Sequence, residues 1–181
     1  DSATFDYILK AIFSMALGDV TDAVIPKHKI FTAQTQAVMR LGEVPIREIN
    51  FDVLGTEAVL LGILAEQKSV AAALLASLGV SYEATQPIVV KWLGTRPAPP
   101  EGTFPPTLPF APRVKRVIEL ALDEAKQQKK SQISPAHLLL AMLEEYKEAP
   151  APGGVATYIL RAELGINLQQ LEQQLREAVL L

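Results

Sequence analysis

Apolar residues recur along the second half of the chain at intervals of three and four positions. A stripe of this kind follows Pro112, a residue suited to the first turn of a helix. It comprises Val114, Val117, Ile118, Ala121, Leu122 and Ala125. The spacing predicts an amphipathic helix that buries one face.

Three further helices are predicted after this stripe. Ser134 caps the first of them, which opens with Pro135 and buries Leu138, Leu139 and Met142. The next runs from about Val155 to Gly165, where a glycine can adopt the left-handed conformation that ends a helix. Asn167 caps the last, whose apolar seam is narrow.

The first half follows the same plan of four helices. Their predicted caps are Thr32, Thr56, Ser69 and Ser81, and Gly79 ends the third helix. Gly42 and Pro45 are expected to kink or shorten the first helix, and Pro87 to disturb the fourth. An additional apolar helix is predicted upstream, from Ala3 to Leu17.

The two halves align, which indicates an internal duplication. Phe31 placed over Phe110 aligns them without a gap as far as Glu66 over Glu145, and Leu54 then faces Ile133. After an inserted loop at 146–154, VA at 70–71 matches VA at 155–156, and LGV at 78–80 matches LGI at 164–166. The predicted fold is all-α: a duplicated four-helix repeat with a pseudo-two-fold axis, plus an amino-terminal helix.

The predicted organisation has four parts. An amino-terminal helix and loop occupy 1–29, the first repeat 30–94, a proline-rich linker 95–109 and the second repeat 110–181. Phe104 and Leu108 are the large apolar side chains of the linker, and they either anchor it to the helices or enter a partner's apolar pocket. In the amino-terminal helix, Phe5, Ile8, Ile12 and Phe13 are further candidates for protein binding, although they could instead pack on their own domain.

Composition restricts the function. Hydrophobic residues make up 49% and charged residues 20%, as in a folded globular protein, and the absence of cysteine excludes disulfides and thiolate metal sites. No apolar run reaches the roughly 18 to 20 residues of a membrane span. The net charge of −3 includes no basic block; the lysines at 126, 129 and 130 suit a helix carboxyl end better than a nucleic-acid surface. We therefore expect neither membrane nor nucleic acid as a partner.

Candidate catalytic residues are few. No P-loop, GxGxxG or GxSxG motif is present, and the chain has two histidines. His28 lies beside two lysines, which disfavours a metal, and His137 follows Ser134 by three positions, where a helix cap is favoured over a nucleophile and base. We therefore predict a protein that is not an enzyme and has no cofactor; a helical hydrolase using Ser134 and His137 is the alternative from another class.

The repeat resembles a known family. LGTEAVLLGIL at 54–64, with VA at 70–71 and LGV at 78–80, resembles the Clp amino-terminal repeat, and ISPAHLLLAML at 133–143 is similar to a diverged second copy. Three departures resemble the ClpT-type accessory subunits of the chloroplast Clp protease. These are Ala58 where unfoldases carry histidine, Pro135-Ala136-His137 in place of Thr-Glu-His, and VKWLG at 90–94 before a proline-rich linker.

This resemblance implies a non-catalytic subunit in the chloroplast stroma. It would bind ClpP/ClpR protease ring subunits, aid the assembly or stability of that core and modulate docking of the Clp AAA+ chaperone. The docking segment of land-plant ClpT proteins is aromatic-rich, whereas GTFPP at 102–106 has a single aromatic residue. The alternative is the amino-terminal domain of a Clp AAA+ unfoldase, which receives substrates or adaptors.

Overall fold

The computed structural model describes residues 27–148 and 154–179. The predicted amino-terminal helix lies outside these residues, and with it Phe5, Ile8, Ile12 and Phe13. Their role in protein binding therefore stays a prediction.

A short helix, α1 (Lys27–Ile30), leads into the first repeat. The repeat consists of α2 (Ala33–Glu48), α3 (Thr56–Glu66), α4 (Val70–Ser77) and α5 (Tyr82–Leu93). The second repeat consists of α6 (Pro112–Gln127), α7 (Pro135–Glu148), α8 and α9 (Leu168–Val179). Helix α8 begins as Val155–Tyr158 and continues as a π-helical turn, Ile159–Glu163. The predicted all-α fold is confirmed, with four helices in each repeat.

Most predicted caps are confirmed by backbone N–H groups that donate to the capping side chain. Thr32 accepts from Thr35 at 3.2 Å, and Ser69, Ser81 and Asn167 accept in the same way at 3.1–3.2 Å. The predicted Thr56 cap is wrong, because Gly55 is the N-cap residue of α3. The Thr56 hydroxyl instead accepts the N–H of Ala156, at 3.2 Å, from the other repeat.

Two other local predictions are corrected. Helix α2 passes through Gly42 and Pro45 and ends only after Glu48, so neither residue shortens it. A Cβ at Gly42 would lie 2.1 Å from the carbonyl oxygen of Ala58 in α3, and one at Gly62 would lie 2.0 Å from that of Val38 in α2. These glycines therefore permit the close crossing of α2 and α3. Residues 146–148, expected in the inserted loop, belong to α7, which extends to Glu148.

The pseudo-two-fold relation is visible where the repeats meet. Phe31 forms a parallel β-bridge with Ile133, and Leu54 forms one with Phe110. The hydrogen bonds correspond pair by pair: Thr32 N–H donates to the Ile133 carbonyl at 3.1 Å, and Ala111 N–H donates to the Leu54 carbonyl at 2.8 Å. The segment that leads into each repeat is therefore hydrogen-bonded to the other repeat, and the two contacts are symmetric, as in an isologous interface between subunits.

The proline-rich linker is anchored to the first repeat. Leu108 is 3% exposed and belongs to a core cluster with Ile46, Leu54 and Val89. The guanidinium of Arg47 lies 5.1 Å from the centre of the Phe104 ring and donates to the carbonyl oxygens of residues 105 and 106 at 2.8–2.9 Å. Leu108 is therefore unable to enter a partner's pocket in this conformation, because its own core already surrounds it.

Candidate functional site

One open groove of about 440 Å³ lies where the two repeats meet, and we name it the apolar groove. It is lined by Phe51, Val53, Gly55, Thr56, Glu57, Leu93, Ala111, Pro112, Arg113 and Val155. The loop before α3, the end of α5 and the starts of α6 and α8 provide these residues. Most of the side chains are hydrocarbon, and a groove with this lining suits the apolar side chain of a ligand or partner.

A second groove of about 360 Å³ lies at the corresponding place on the other side of the pseudo-two-fold axis. We name it the polar groove. Its lining includes Thr32, Gln34, Ser69, Val70, Gln128, Lys130, Ser131, Gln132, Ser134, Pro135, Ala136, His137, Ala178 and Val179. The loop before α7, the end of α9 and the starts of α2 and α4 contribute to it, which is the symmetric arrangement of elements.

The alignment of the repeats relates the two linings residue by residue. Phe51 corresponds to Lys130, and Val53 corresponds to Gln132. Ala111 likewise occupies the position that Thr32 has in the polar groove. The grooves therefore share a backbone plan, but Phe51 and Val53 of one are replaced by polar side chains in the other.

Glu57 lies at the floor of the apolar groove and is 4% exposed. Burial raises the pKa of its carboxyl group, and the backbone N–H groups of Gly55 and Glu57, which hydrogen-bond to the carboxylate, oppose that rise. The Glu57 carboxylate thus accepts backbone N–H groups at the start of α3, where Thr56 provides no cap. Its counterpart in the polar groove is Ala136, so the acidic group is present in one groove only.

Two contacts fix sides of the apolar groove, one within the second repeat and one between the repeats. Arg113, at its rim, forms an ion pair with the buried Glu145 of α7. The bond from Ala156 N–H to the Thr56 hydroxyl joins the start of α8 to the start of α3. The groove is consequently built from segments that these contacts hold to the helices of the domain.

His137 has a structural role in the polar groove. Its Nδ1 accepts the backbone N–H of Ser134 at 3.0 Å, and its own N–H donates to the Ser134 hydroxyl at 3.3 Å. This reciprocal pair is a capping box with histidine in the usual place of glutamate. Because Nδ1 accepts, Nε2 carries the proton and donates to Gln128 at 2.7 Å. Both side chains are thus used in capping α7, which weakens the hydrolase alternative.

The predicted contact residues lie apart from this groove. Phe104 is half-buried under Arg47, and Leu108 is in the core. The groove residues Phe51, Val53 and Leu93 were not among the predicted contact residues. The sequence does carry one signal for them: Val53 aligns with Gln132, so this position is apolar in the first repeat and polar in the second, unlike the core positions, which are apolar in both.

The part of the chain that the structure describes offers neither a metal site nor a single membrane-spanning helix. Within 27–148 and 154–179, no group of three or more His, Asp or Glu side chains is placed to hold a metal ion. Over the same residues, no single helix is long and apolar enough to cross a membrane. One pair, α3 and α4, passes the length and composition criteria only when combined, and it is bent by 90°.

The duplicated fold and the groove between its halves define a class of helical domain built from two repeats. Residues 30–152 match the family described as "Clp repeat (R) N-terminal domain", and the chain belongs to that family.

Curated relatives agree with this assignment. The chain is 33% identical over 144 residues to "Chaperone protein ClpC1, chloroplastic" of Oryza sativa subsp. japonica. It is equally identical, over the same length, to "ATP-dependent Clp protease ATP-binding subunit ClpA homolog" of Guillardia theta. Each match covers 80% of this chain but only 14–16% of the relative. The shared part is therefore one domain of much longer proteins.

Solved structures confirm the fold. The amino-terminal domain of the chaperone ClpD from Arabidopsis thaliana aligns with a TM-score of 0.62 at 18% identity, covering 82% of this chain and 96% of that one. The Hsp104 amino-terminal domain from Candida albicans aligns with a TM-score of 0.60, also at 18% identity, covering 82% and 91%. The similarity to ClpT-type subunits expected from the motifs is not among these findings, which support the coarser assignment to the Clp repeat family.

Proposed function

We propose that this chain is a non-catalytic protein-binding domain that receives segments of partner polypeptides in the apolar groove, as the amino-terminal domain of a Clp unfoldase would. The observation that carries the proposal is the difference between the two symmetric grooves. A duplication starts with equal sites, and here one of them has Phe51 and Val53 where its counterpart has Lys130 and Gln132.

The dimensions of the apolar groove suit this role. A volume of about 440 Å³ accommodates a few side chains of a polypeptide but is open along one side, as an extended segment requires. Protein interfaces gain most of their affinity from a few apolar or aromatic anchors placed in such pockets. A partner would therefore be expected to insert apolar side chains between Val53, Leu93 and Val155.

Equilibrium binding to a permanently unfolded polypeptide tests the proposal. Fluorescein-labelled β-casein is titrated with the protein, and anisotropy reports the dissociation constant. Val53→Asp places a carboxylate in the apolar groove and should weaken binding by about tenfold or more, because the charge loses water when a partner covers it. Gln132→Asp makes the same change at the symmetric position and should leave the affinity within about twofold.

Two results would overturn the proposal. One is β-casein binding that the two substitutions reduce equally, and the other is β-casein binding that Val53→Asp leaves unchanged. Circular dichroism of both variants would check that each retains its helices, since both positions are only partly buried.

The narrower function suggested by the sequence is a second candidate: an accessory subunit of the ClpP/ClpR protease ring that acts in the chloroplast stroma and modulates chaperone docking. The departures at Ala58 and Ala136 favour the accessory role. Relatives whose names carry the word chloroplastic support the compartment alone. A pull-down from chloroplast extract with this protein as bait, probed for ClpP and ClpR subunits, tests this candidate. Recovery of neither subunit would reject it. Phe104→Ala would weaken the capture if the linker contributes.

A further inference from the structure

Helix α8 contains one residue more than its counterpart α4. The matched ends are Val70 and Leu78 in the first repeat and Val155 and Leu164 in the second, so the second segment is longer by one. The extra residue is accommodated by the π-helical turn, in which Leu164 N–H donates to the Ile159 carbonyl five positions earlier at 2.9 Å. The turn is therefore a specific feature of the second repeat.

Tyr158, which directly precedes the π-helical turn, and Glu163, its last residue, contact the same neighbour. The ring of Tyr158 meets the indole of Trp92 edge to face, with centroids 4.8 Å apart and planes at 72°. Glu163 accepts the indole N–H of Trp92 at 3.1 Å. Residues five apart lie about 140° apart around a regular α-helix but only about 50° apart, on the same face, around a π-helical turn. The extra residue thus lets α8 hold Trp92 at two points.

Trp92 stands beside the apolar groove without lining it. Its neighbour Leu93 forms one wall of the groove, and Val155, one turn before Tyr158, forms another. The bond to Thr56 fixes only the start of α8. Val89 of α5 and Ile159 of α8 share one core cluster, against which Leu93 and Val155 pack. The distance between the walls therefore depends on this packing together with the contacts that Trp92 makes on the outer side of α5.

We infer that Trp92 is a positioning residue that sets the width of the apolar groove by tying α5 to the π-helical turn of α8. This inference rests on the proposed function of that groove. Trp92 is 47% exposed and is not a member of the buried core, so its contacts with Tyr158 and Glu163 are its specific links to α8. Counted from the match of LGV with LGI, the position of Trp92 is occupied by Ala178 in the polar groove, so the aromatic pair has no counterpart there.

The experiment uses the same fluorescein-labelled β-casein titration. Trp92→Leu removes both contacts and should weaken binding about fivefold, a change in the range expected for one aromatic pair with its hydrogen bond. Trp92→Phe keeps the ring contact and should recover part of the lost affinity. Glu163→Gln keeps an acceptor for the indole and should bind as the parent does, while Glu163→Ala should not.

Urea denaturation of each variant separates positioning from stability. If Trp92 only stabilised the fold, Trp92→Leu would lower the free energy of unfolding without changing the affinity of the folded protein. That result would overturn the inference. Equal binding by Trp92→Leu and Trp92→Phe would do the same. Val53→Asp serves as the reference. If Val53→Asp weakens binding and Trp92→Leu does not, the apolar groove is supported as the binding site, but the positioning role of Trp92 is rejected. If Val53→Asp has no effect, the proposed function itself fails.

Discussion

Gly62→Ala tests the close crossing of α2 and α3. Helix propensity by itself favours the change, because alanine in a helix interior is more stable than glycine by about 1 kcal/mol. The tertiary structure predicts the opposite. A methyl group at this position would stand 2.0 Å from the Val38 carbonyl oxygen, which belongs to a helical backbone and is unable to rotate away.

The magnitude follows from the contact distance. A carbon and a carbonyl oxygen approach to about 3.3 Å at the closest, so α2 and α3 must separate by more than about 1 Å locally. Forcing an extra methyl into a packed core costs about 3 kcal/mol at the upper end of the usual range. After the gain in propensity, we expect a net loss of about 2 kcal/mol, or a fall in Tm of roughly 4–8 °C for a chain of this size.

Urea denaturation followed by circular dichroism measures this free energy of unfolding. The chain supplies a matched control, because Gly42 and Gly62 correspond to Ala121 and Ala141 in the second repeat. The crossing of α6 and α7 already accommodates both methyl groups. Ala141→Gly should therefore lose only about 1–2 kcal/mol, the cost in propensity together with a small void. A Gly62→Ala protein that is more stable than the parent would refute the reasoning.

Three further predictions concern buried groups, and urea denaturation tests each of them. Burial lowers the pKa of His137, and protonation of Nδ1 would break its bond with Ser134 N–H. The free energy of unfolding should therefore fall as pH drops below about 6.5. His137→Asn should remove this pH dependence, and an unchanged dependence in the variant would contradict the assignment to His137. Burial raises the pKa of Glu57, so stability should decline as pH rises above about 4.5, and Glu57→Gln should flatten this decline. Leu108→Ala should cost about 2–4 kcal/mol, whereas a surface-exposed Leu108 would cost almost nothing.

The local parts of the fold were predictable because they depend on neighbouring residues. Ser69, Ser81 and Asn167 cap their helices through N–H groups three positions away. Thr56 failed as a cap because its hydroxyl accepts an N–H from the other repeat, a partner that no local pattern reveals. Gly42 was interpreted from its intrinsic propensity, but its role depends on the backbone of α3.

The candidate site was less predictable because both repeats contribute to it. The pseudo-two-fold relation followed from the alignment, but the β-bridges place Phe110 beside Leu54 and Phe31 beside Ile133, so each groove is lined by both repeats. The π-helical turn left a sequence signal, the single extra residue in α8. Its consequence for Trp92 required the positions of Tyr158 and Glu163 in space.

Methyl NMR of a protein with labelled valines would show which groove binds a polypeptide, since valines lie in both grooves. Val53 and Val155 line the apolar groove, and Val70 and Val179 line the polar groove. On titration with β-casein, binding in the apolar groove should shift the methyl signals of Val53 and Val155, while those of Val70 and Val179 stay in place. Shifts confined to Val70 and Val179, or of equal size in both pairs, would contradict it.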